Sequence, residues 1–127
     1  MALFDRAWME GWRRLVNADE GFRVVGRYFT ADLLFGFGDT SYHVSVKNGA
    51  IEHIHEGAGS VPQGSLAFRG AREVWEQFVQ PMPPPRYNGI FPLVFGKLLT
   101  MEGEEIVFWQ NLRALTVMTH LMRTASR

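Results

Sequence analysis

Two histidines, His53 and His55, are the residues of this chain whose type and spacing best suit chemistry. They stand two positions apart, so on a β-strand both imidazoles point to the same face. A neutral imidazole can donate one hydrogen bond and accept another, which suits a ligand hydroxyl, a carboxylic acid or acid–base work. The plainer structural interpretation is a pair of histidines at the edge of the core, each bonded to a backbone group or to Tyr42.

The residue types give less support to a metal site, to cysteine chemistry or to a role for the other two histidines. A metal site needs a third ligand beside the His-x-His pair, and Glu56 alternates to the opposite face of the strand. The chain has no cysteine, which excludes disulfides, thiolate catalysis and cysteine zinc sites. His43 falls on the wet face, and His120 lies near a helix end whose dipole favours its cation. We therefore expect no metal, no cofactor and no catalytic residue.

The strand that carries the two histidines belongs to a hairpin. Asn48-Gly49 separates two alternating runs, and this dipeptide favours a two-residue type I′ turn because both residues tolerate positive φ. The register that follows pairs Val46 with Ile51, Val44 with His53 and Tyr42 with His55. Both histidines then point towards the core.

A second tight turn is predicted at Asp39-Thr40, which makes the hairpin a three-stranded meander. Its register pairs Phe37 with Tyr42, Phe35 with Val44, and Leu33 with Val46. The apolar rows from the two turns then share one face, and a slip of one residue would scramble them.

Segments with helical periodicity come before and after the meander in the sequence. Residues 3–17 form an apolar stripe, and Asp19 is a plausible N-cap for a short second helix. Further elements follow in the order loop, strand, helix, interrupted apolar segment, strand and long helix, over residues 57–64, 65–69, 71–79, 86–97, 98–102 and 104–122. The apolar segment is either a distorted helix or an ordered lid, because Gly89 and Pro92 interrupt it.

Composition limits the classes of partner. With 127 residues the chain is long enough for one domain, over 1–127, with an N-terminal helix at 3–17 and a core at 20–122. Thirteen basic residues balance thirteen acidic ones, which argues against nucleic acid and against polybasic docking on anionic lipid. No run of about 18 apolar residues predicts a membrane span. The N-terminus lacks the features of a signal peptide, so we expect a cytoplasmic protein.

The order of motifs resembles the sterol carrier protein 2 family of small lipid-binding domains. Gly96-Lys97, the strand at 98–102, Gly103-Glu104 and the final helix follow one another as they do in that family. Asn48-Gly49-Ala50-Ile51 is similar to its hairpin, and residues 65–78 are similar to its strand leading into a helix. The resemblance implies an α+β fold, with a five-stranded, mostly antiparallel sheet covered on one face by helices around a hydrophobic cavity.

The leading hypothesis is therefore a carrier that binds a lipid, fatty acyl chain, sterol or terpene-like molecule and transports it. The predicted ligand-binding residues are Phe35, Phe37, Tyr42, Val44, His53, His55, Phe91, Phe95, Phe108, Met118 and Met122. One alternative is a small enzyme, or an accessory domain, that uses the same cavity for acid–base chemistry by His53 and His55. Another is an interaction domain that forms a homodimer through its aromatic surface.

Overall fold

The computed structural model describes residues 2–57, 59 and 64–127. Most of the loop predicted at 57–64 lies outside the described residues. The helices and strands, in chain order, are α1 (Arg6–Ala18), α2 (Glu20–Val25), β1 (Ala31–Phe37), β2 (Thr40–Lys47), β3 (Ala50–Glu56), β4 (Leu66–Gly70), α3 (Arg72–Phe78), α4 (Ile90–Phe95), β5 (Thr100–Gly103), α5 (Glu105–Gln110) and α6 (Leu112–Ala125).

The five strands form one sheet in the order β3-β2-β1-β4-β5. Strand β1 pairs antiparallel with β2 and parallel with β4, and the other two pairings are antiparallel. The fold is therefore α+β with a five-stranded, mostly antiparallel sheet, as the sequence predicts. The one parallel pairing places β4, and with it α3, beside the centre of the sheet.

The β1–β2 turn differs from the predicted one by one residue. Gly38 takes a φ of +69°, a left-handed conformation that glycine adopts without strain, so the turn residues are Gly38-Asp39. Phe37 then faces Thr40 and Phe35 faces Tyr42, which makes the predicted register wrong by two positions. Because the shift is even, the apolar side chains keep their predicted face.

The β2–β3 hairpin begins as predicted and then departs. Asn48 and Gly49 have φ values of +50° and +78°, and Val46 faces Ile51. The register then shifts, because Glu52 is an extra residue in β3 and forms a β-bulge. Beyond the bulge every side chain of β3 therefore lies on the face opposite to the predicted one.

His53 and His55 therefore do not enter the core. His53 faces Ser45 and His55 faces His43 across the strand pair, while Ile54 packs inward opposite Val44. Both histidines are exposed, so their predicted inward position is wrong. The physical reason is the bulge, since a shift of one residue exchanges the two faces of a strand.

Side-chain caps set the helix starts. The Asp5 carboxylate accepts from the Trp8 N–H at 2.7 Å, so α1 begins at Arg6 and not at residue 3. Asp19 caps α2 in the same way through the Phe22 N–H at 2.8 Å, as predicted.

The long helix predicted at 104–122 is two helices, α5 and α6. They meet at Asn111, whose backbone leaves the helical region at φ −118° and ψ 19°.

Aromatic side chains fill the space between helices and sheet. Phe35, on the central strand, has its ring centroid 5.6 Å from that of Trp12, 6.0 Å from that of Trp75 and 5.8 Å from that of Phe68. Two buried indoles also bond backbone carbonyls, Trp12 to that of Met118 and Trp75 to that of Gly36, each at 2.8 Å. These bonds satisfy the polar end of each ring inside the core.

Among the described residues, none of the helices has the length and apolarity needed to cross a bilayer.

Candidate functional site

Nine of the eleven predicted lining residues, all but the two histidines, divide into two groups by burial. Seven of them are fully buried in a single core between the helices and the sheet: Phe35, Phe37, Tyr42, Val44, Phe108, Met118 and Met122. Two others, Phe91 and Phe95, are on α4 and are 40% and 48% exposed. The buried group is the interior that a guest would have to open, and the exposed pair lies at its surface.

Phe91 and Phe95 belong to a four-ring aromatic cluster with Phe108 and Trp109 of α5. The Phe91 and Phe95 rings stack with centroids 4.6 Å apart, and Trp109 packs against them at 5.7 Å and 5.4 Å. Trp109 is itself 43% exposed. Ile106, on the same helix as Trp109, is exposed as well, so α5 presents a second large apolar side chain at the surface.

The aromatic cluster extends from this surface into the core through one residue. The Phe108 ring is fully buried, with its centroid 6.4 Å from that of Phe95 and 6.1 Å from that of Phe68 on β4. Apolar contact therefore continues from solvent to the sheet without a polar interruption. Local helical geometry explains the arrangement, because adjacent residues on a helix point about 100° apart and Phe108 and Trp109 take the inner and outer positions.

Sequence reasoning missed Trp109. The signal was available, since Trp109 directly follows a predicted lining residue within a helical pattern. Its indole N–H donates to the Glu105 carboxylate at 3.1 Å, one helical turn away, which holds the ring against α4.

Two surface depressions lie away from the aromatic cluster. One of about 410 Å³ is lined by the β1–β2 turn and the start of α3, including Phe37, Thr40 and Arg72. Another, of about 650 Å³, lies beside Gln77 and the proline-rich stretch that begins at Pro81. Neither is lined by Phe91, Phe95, Phe108 or Trp109.

The two histidines predicted to line the site lie on the outer face of the sheet. Their rings are nearly parallel, with centroids 5.9 Å apart. Nearby on this face Ser45 donates to the Asp32 carboxylate at 3.0 Å, so the surroundings are polar. Within the described parts of the chain, no three histidine, aspartate or glutamate side chains are arranged to hold a metal ion.

Tyr42, another predicted ligand contact, already has a partner. Its hydroxyl donates to the backbone carbonyl of Phe4 at 2.8 Å and so fixes the chain before α1. Burial raises the pKa of the Tyr42 hydroxyl, and the nearby Glu56 carboxylate adds to the effect. The hydroxyl is thus a structural group in this conformation.

His120 lies in a different environment from the one expected at a helix end. Burial, and next the Arg123 guanidinium, lower the pKa of His120, although a hydrogen bond to the Asn88 backbone acts in the opposite direction. The lowered pKa of His120, chiefly from desolvation, is opposite in direction to the effect expected from a helix end. Its Nε2 atom is buried and has no hydrogen-bond partner among the described residues.

Solved structures share this architecture. A crystal structure of sterol carrier protein 2 superposes with a TM-score of 0.80 over 96% of this chain and 98% of its own, at 14% identity. The chain has the sterol carrier protein 2 fold. A solution structure of the conserved hypothetical protein TT1886 from Thermus thermophilus, described as possibly a sterol carrier protein, gives a TM-score of 0.78 at 16% identity, over 98% of this chain and 90% of its own.

A third structure, described as a UbiJ-SCP2 ubiquinone synthesis protein, has the sterol carrier fold with a TM-score of 0.53 at 14% identity, covering 84% of this chain and 87% of its own. No protein-family model matches the sequence, and no curated protein matches it significantly. At these identities the similarity establishes the sterol carrier fold and leaves the ligand open.

The glycines that carried the sequence resemblance have structural roles in the sterol carrier fold. Gly103, at the end of β5, has a φ of +117°, and a Cβ there would overlap the backbone carbonyl of Ser65. Gly96 ends α4, where a Cβ would approach the Pro92 carbonyl to 2.7 Å. Both positions need glycine because backbone passes too close for a side chain.

Proposed function

We propose that this protein, as one domain over 1–127, binds one apolar small molecule and carries it through the cytoplasm. The class of guest is a lipid, a fatty acyl chain, a sterol or a terpene-like molecule. The observation that supports this most directly is the aromatic cluster, which leads from exposed rings on α4 and α5 to a fully buried aromatic core. The sterol carrier fold supports it independently.

The guest enters between α4 and α5 by displacing side chains. Phe91, Phe95 and Trp109 form the rim, and Phe108 is the inner ring that must move. Met118 and Met122, buried in the same core on α6, have flexible unbranched side chains that adapt to irregular apolar shapes. Burial of apolar ligand area, at about 25 cal/mol per Å² before ordering costs, drives the process.

The acid–base alternative loses its geometric basis. It requires His53 and His55 in the apolar interior, and both are on the exposed face of β3. The homodimer alternative retains a specific observation, because the exposed rings of Phe91, Phe95 and Trp109 form a surface that a second copy could cover.

Ligand titration of matched variants tests the proposal. The wild-type protein, Phe95→Ala and Tyr28→Ala are titrated with a fluorescent fatty acid, a sterol and a terpenoid, and bound stoichiometry is read by native mass spectrometry. Tyr28 is 80% exposed and outside the cluster, which makes it the control for losing a surface aromatic ring. We expect one guest per chain and a Kd raised about tenfold by Phe95→Ala alone, the loss of about 1.4 kcal/mol of contact.

The same variants separate the carrier from the homodimer. If the cluster serves only as a dimer interface, no probe binds, and Phe95→Ala converts a dimer into a monomer in light-scattering measurements. Equal Kd values for Phe95→Ala and wild type would show that the cluster is not the ligand opening.

A further inference from the structure

Two side chains on one face of α6 hold the segment that leads into α4. Arg123 donates to the backbone carbonyl of Tyr87 at 3.2 Å and, through Nε, to that of Phe78 at 2.8 Å. His120, one turn earlier on α6, lies against the backbone of Asn88 and Gly89 in the same segment. Arg123 and His120 therefore both contact the chain directly before α4 begins.

The His120 ring is held in mainly apolar surroundings. Its centroid is 6.1 Å from that of Phe78, and a Cβ at Gly89 would lie 3.6 Å from its Nε2 atom. Its Nε2 atom is buried without a hydrogen-bond partner among the described residues. In a neutral ring Nε2 carries only a lone pair, so this environment is tolerated.

Protonation changes that balance, because it adds a charged N–H at Nε2 where the described residues offer no acceptor. The charged group that acts on the His120 ring is the Arg123 guanidinium on the same helix, which repels a second cation. The facing segment contributes the Tyr87 phenol, and the α3 carboxylates of Glu73 and Glu76 form no ion pair with the ring. A half-buried imidazolium in this position has neither a hydrogen-bond acceptor for Nε2 nor an opposite charge among the described residues.

The segment held by these bonds covers part of the core. Ile90 and Leu93 of α4 are fully buried, while Phe91 and Phe95 on the same helix form the rim of the aromatic cluster. Detachment of α4 would therefore expose core side chains and separate the rim from Trp109.

We propose that His120 and Arg123 form a latch that holds residues 87–95 on α6, and that protonation of His120 at mildly acidic pH releases this segment. The latch is a property of the chain and needs no ligand. Faster guest exchange at acidic pH would follow from it only if the proposed carrier function also holds.

The direction of the pH effect follows from proton linkage. With the segment docked, burial keeps His120 neutral, whereas in the detached state the ring is solvated and titrates near its ordinary pKa of about 6.5. As pH falls below that value, only the detached state gains the proton. Its population rises by up to about tenfold per pH unit until the docked ring titrates as well.

Native-state hydrogen exchange at about pH 7.5 and about pH 5.5, corrected for the intrinsic rate, measures the latch. The reporter amides are those of Leu93, Gly96 and Leu99, which donate to carbonyls of the segment at 2.8 to 3.1 Å, and sheet amides are the internal reference. We expect protection of the reporters to fall about tenfold relative to the sheet at the lower pH.

Variants that keep a donor without titrating make the test specific. His120→Asn places an amide near the Nδ1 position and His120→Gln near the Nε2 position, and at least one of them should remain docked at both pH values. His53→Asn replaces an exposed histidine and should keep the wild-type pH response.

Two results would overturn the latch. One is a pH response of the reporters that persists in both His120 variants. The other is a wild-type response in which reporter and sheet amides lose protection in parallel, since that indicates global unfolding. The second comparison needs no variant, so it decides the question even if neither substitution folds.

Discussion

The side-chain amide of Asn17 pairs with both backbone hydrogen-bonding groups of Ile51. It donates to the Ile51 carbonyl at 3.1 Å and accepts from the Ile51 N–H at 2.8 Å. Strand β3 is at the edge of the sheet, so Asn17 occupies the place of a further strand at that point. Arg13 bonds the neighbouring Glu52 carbonyl at 2.7 Å, and together the two α1 side chains hold the bulge.

Asn17→Ala should therefore destabilise the protein by about 1 to 2 kcal/mol, since it removes two hydrogen bonds and leaves the Ile51 N–H to water, while the Ile51 carbonyl keeps its bond from Arg13 Nε at 3.1 Å. Urea unfolding followed by circular dichroism measures this. Arg14→Ala, an exposed change on the same helix, is the control and should stay within about 0.5 kcal/mol of wild type. Equal unfolding midpoints for the two variants would mean that Asn17 does not hold the edge.

The hairpin shows what the sequence can and cannot predict. The Asn48-Gly49 turn was predictable because its conformation depends on two adjacent residues that tolerate positive φ. The bulge was not, because its side-chain partners Asn17 and Arg13 are 34 and 39 residues away along the chain. The prediction that His53 and His55 point into the core was wrong because of this one bulge.

The aromatic core was more predictable because burial follows composition and periodicity. Phe35 and Phe108 were placed inside from their strand and helix spacing, and an error of two positions in the β1–β2 register did not move Phe35 out. The division of the last helix at Asn111 was missed because the apolar spacing of Phe108 and Leu115 continues across the break.

His53→Leu should change little, because the ring lies on the exposed outer face. We expect a free energy of unfolding within about 0.5 kcal/mol of wild type. Apolar and polar-headed ligands should bind as before, since the substitution leaves the interior unchanged. Titration of a fatty acid and a matched hydrocarbon checks this, and selective weakening of the fatty acid would place the head group on the outer face.

Tyr42→Phe should cost about 1 to 2 kcal/mol of stability by leaving the Phe4 carbonyl without its buried donor. The pKa of Tyr42 is raised in the fold, chiefly by burial, so folding favours the neutral phenol. That stabilisation is complete below the unfolded pKa of about 10 and is lost as pH rises towards the folded pKa. Urea titrations from neutral to alkaline pH measure the free energy of unfolding, which should fall more steeply with pH in wild type than in Tyr42→Phe. Tyr28→Phe is the exposed control and should keep the wild-type pH dependence.

Gly103→Ala should destabilise the protein by about 2 to 4 kcal/mol, because the left-handed backbone and the Ser65 carbonyl both exclude a Cβ. Gly11→Ala, within α1, is the opposite control. There a Cβ meets no atom closer than 3.9 Å, and alanine should stabilise the helix by about 0.5 to 1 kcal/mol. Thermal unfolding of both variants checks the pair, and a neutral Gly103→Ala would show that β4 and β5 can separate at this point.

Phe108→Ala tests the passage from the aromatic rim to the core. The side chain is fully buried between Phe95 and Phe68, so its removal should cost about 3 to 5 kcal/mol and leave an apolar void. A void of this kind binds small apolar molecules, so benzene or xenon should raise the unfolding midpoint of Phe108→Ala more than that of wild type. Phe95→Ala truncates a half-exposed ring and should show neither the large loss nor the rescue. A Phe108→Ala variant that is destabilised but insensitive to both guests would mean that the core collapses around the missing ring, and the interior behind Phe108 would then be unable to hold a guest.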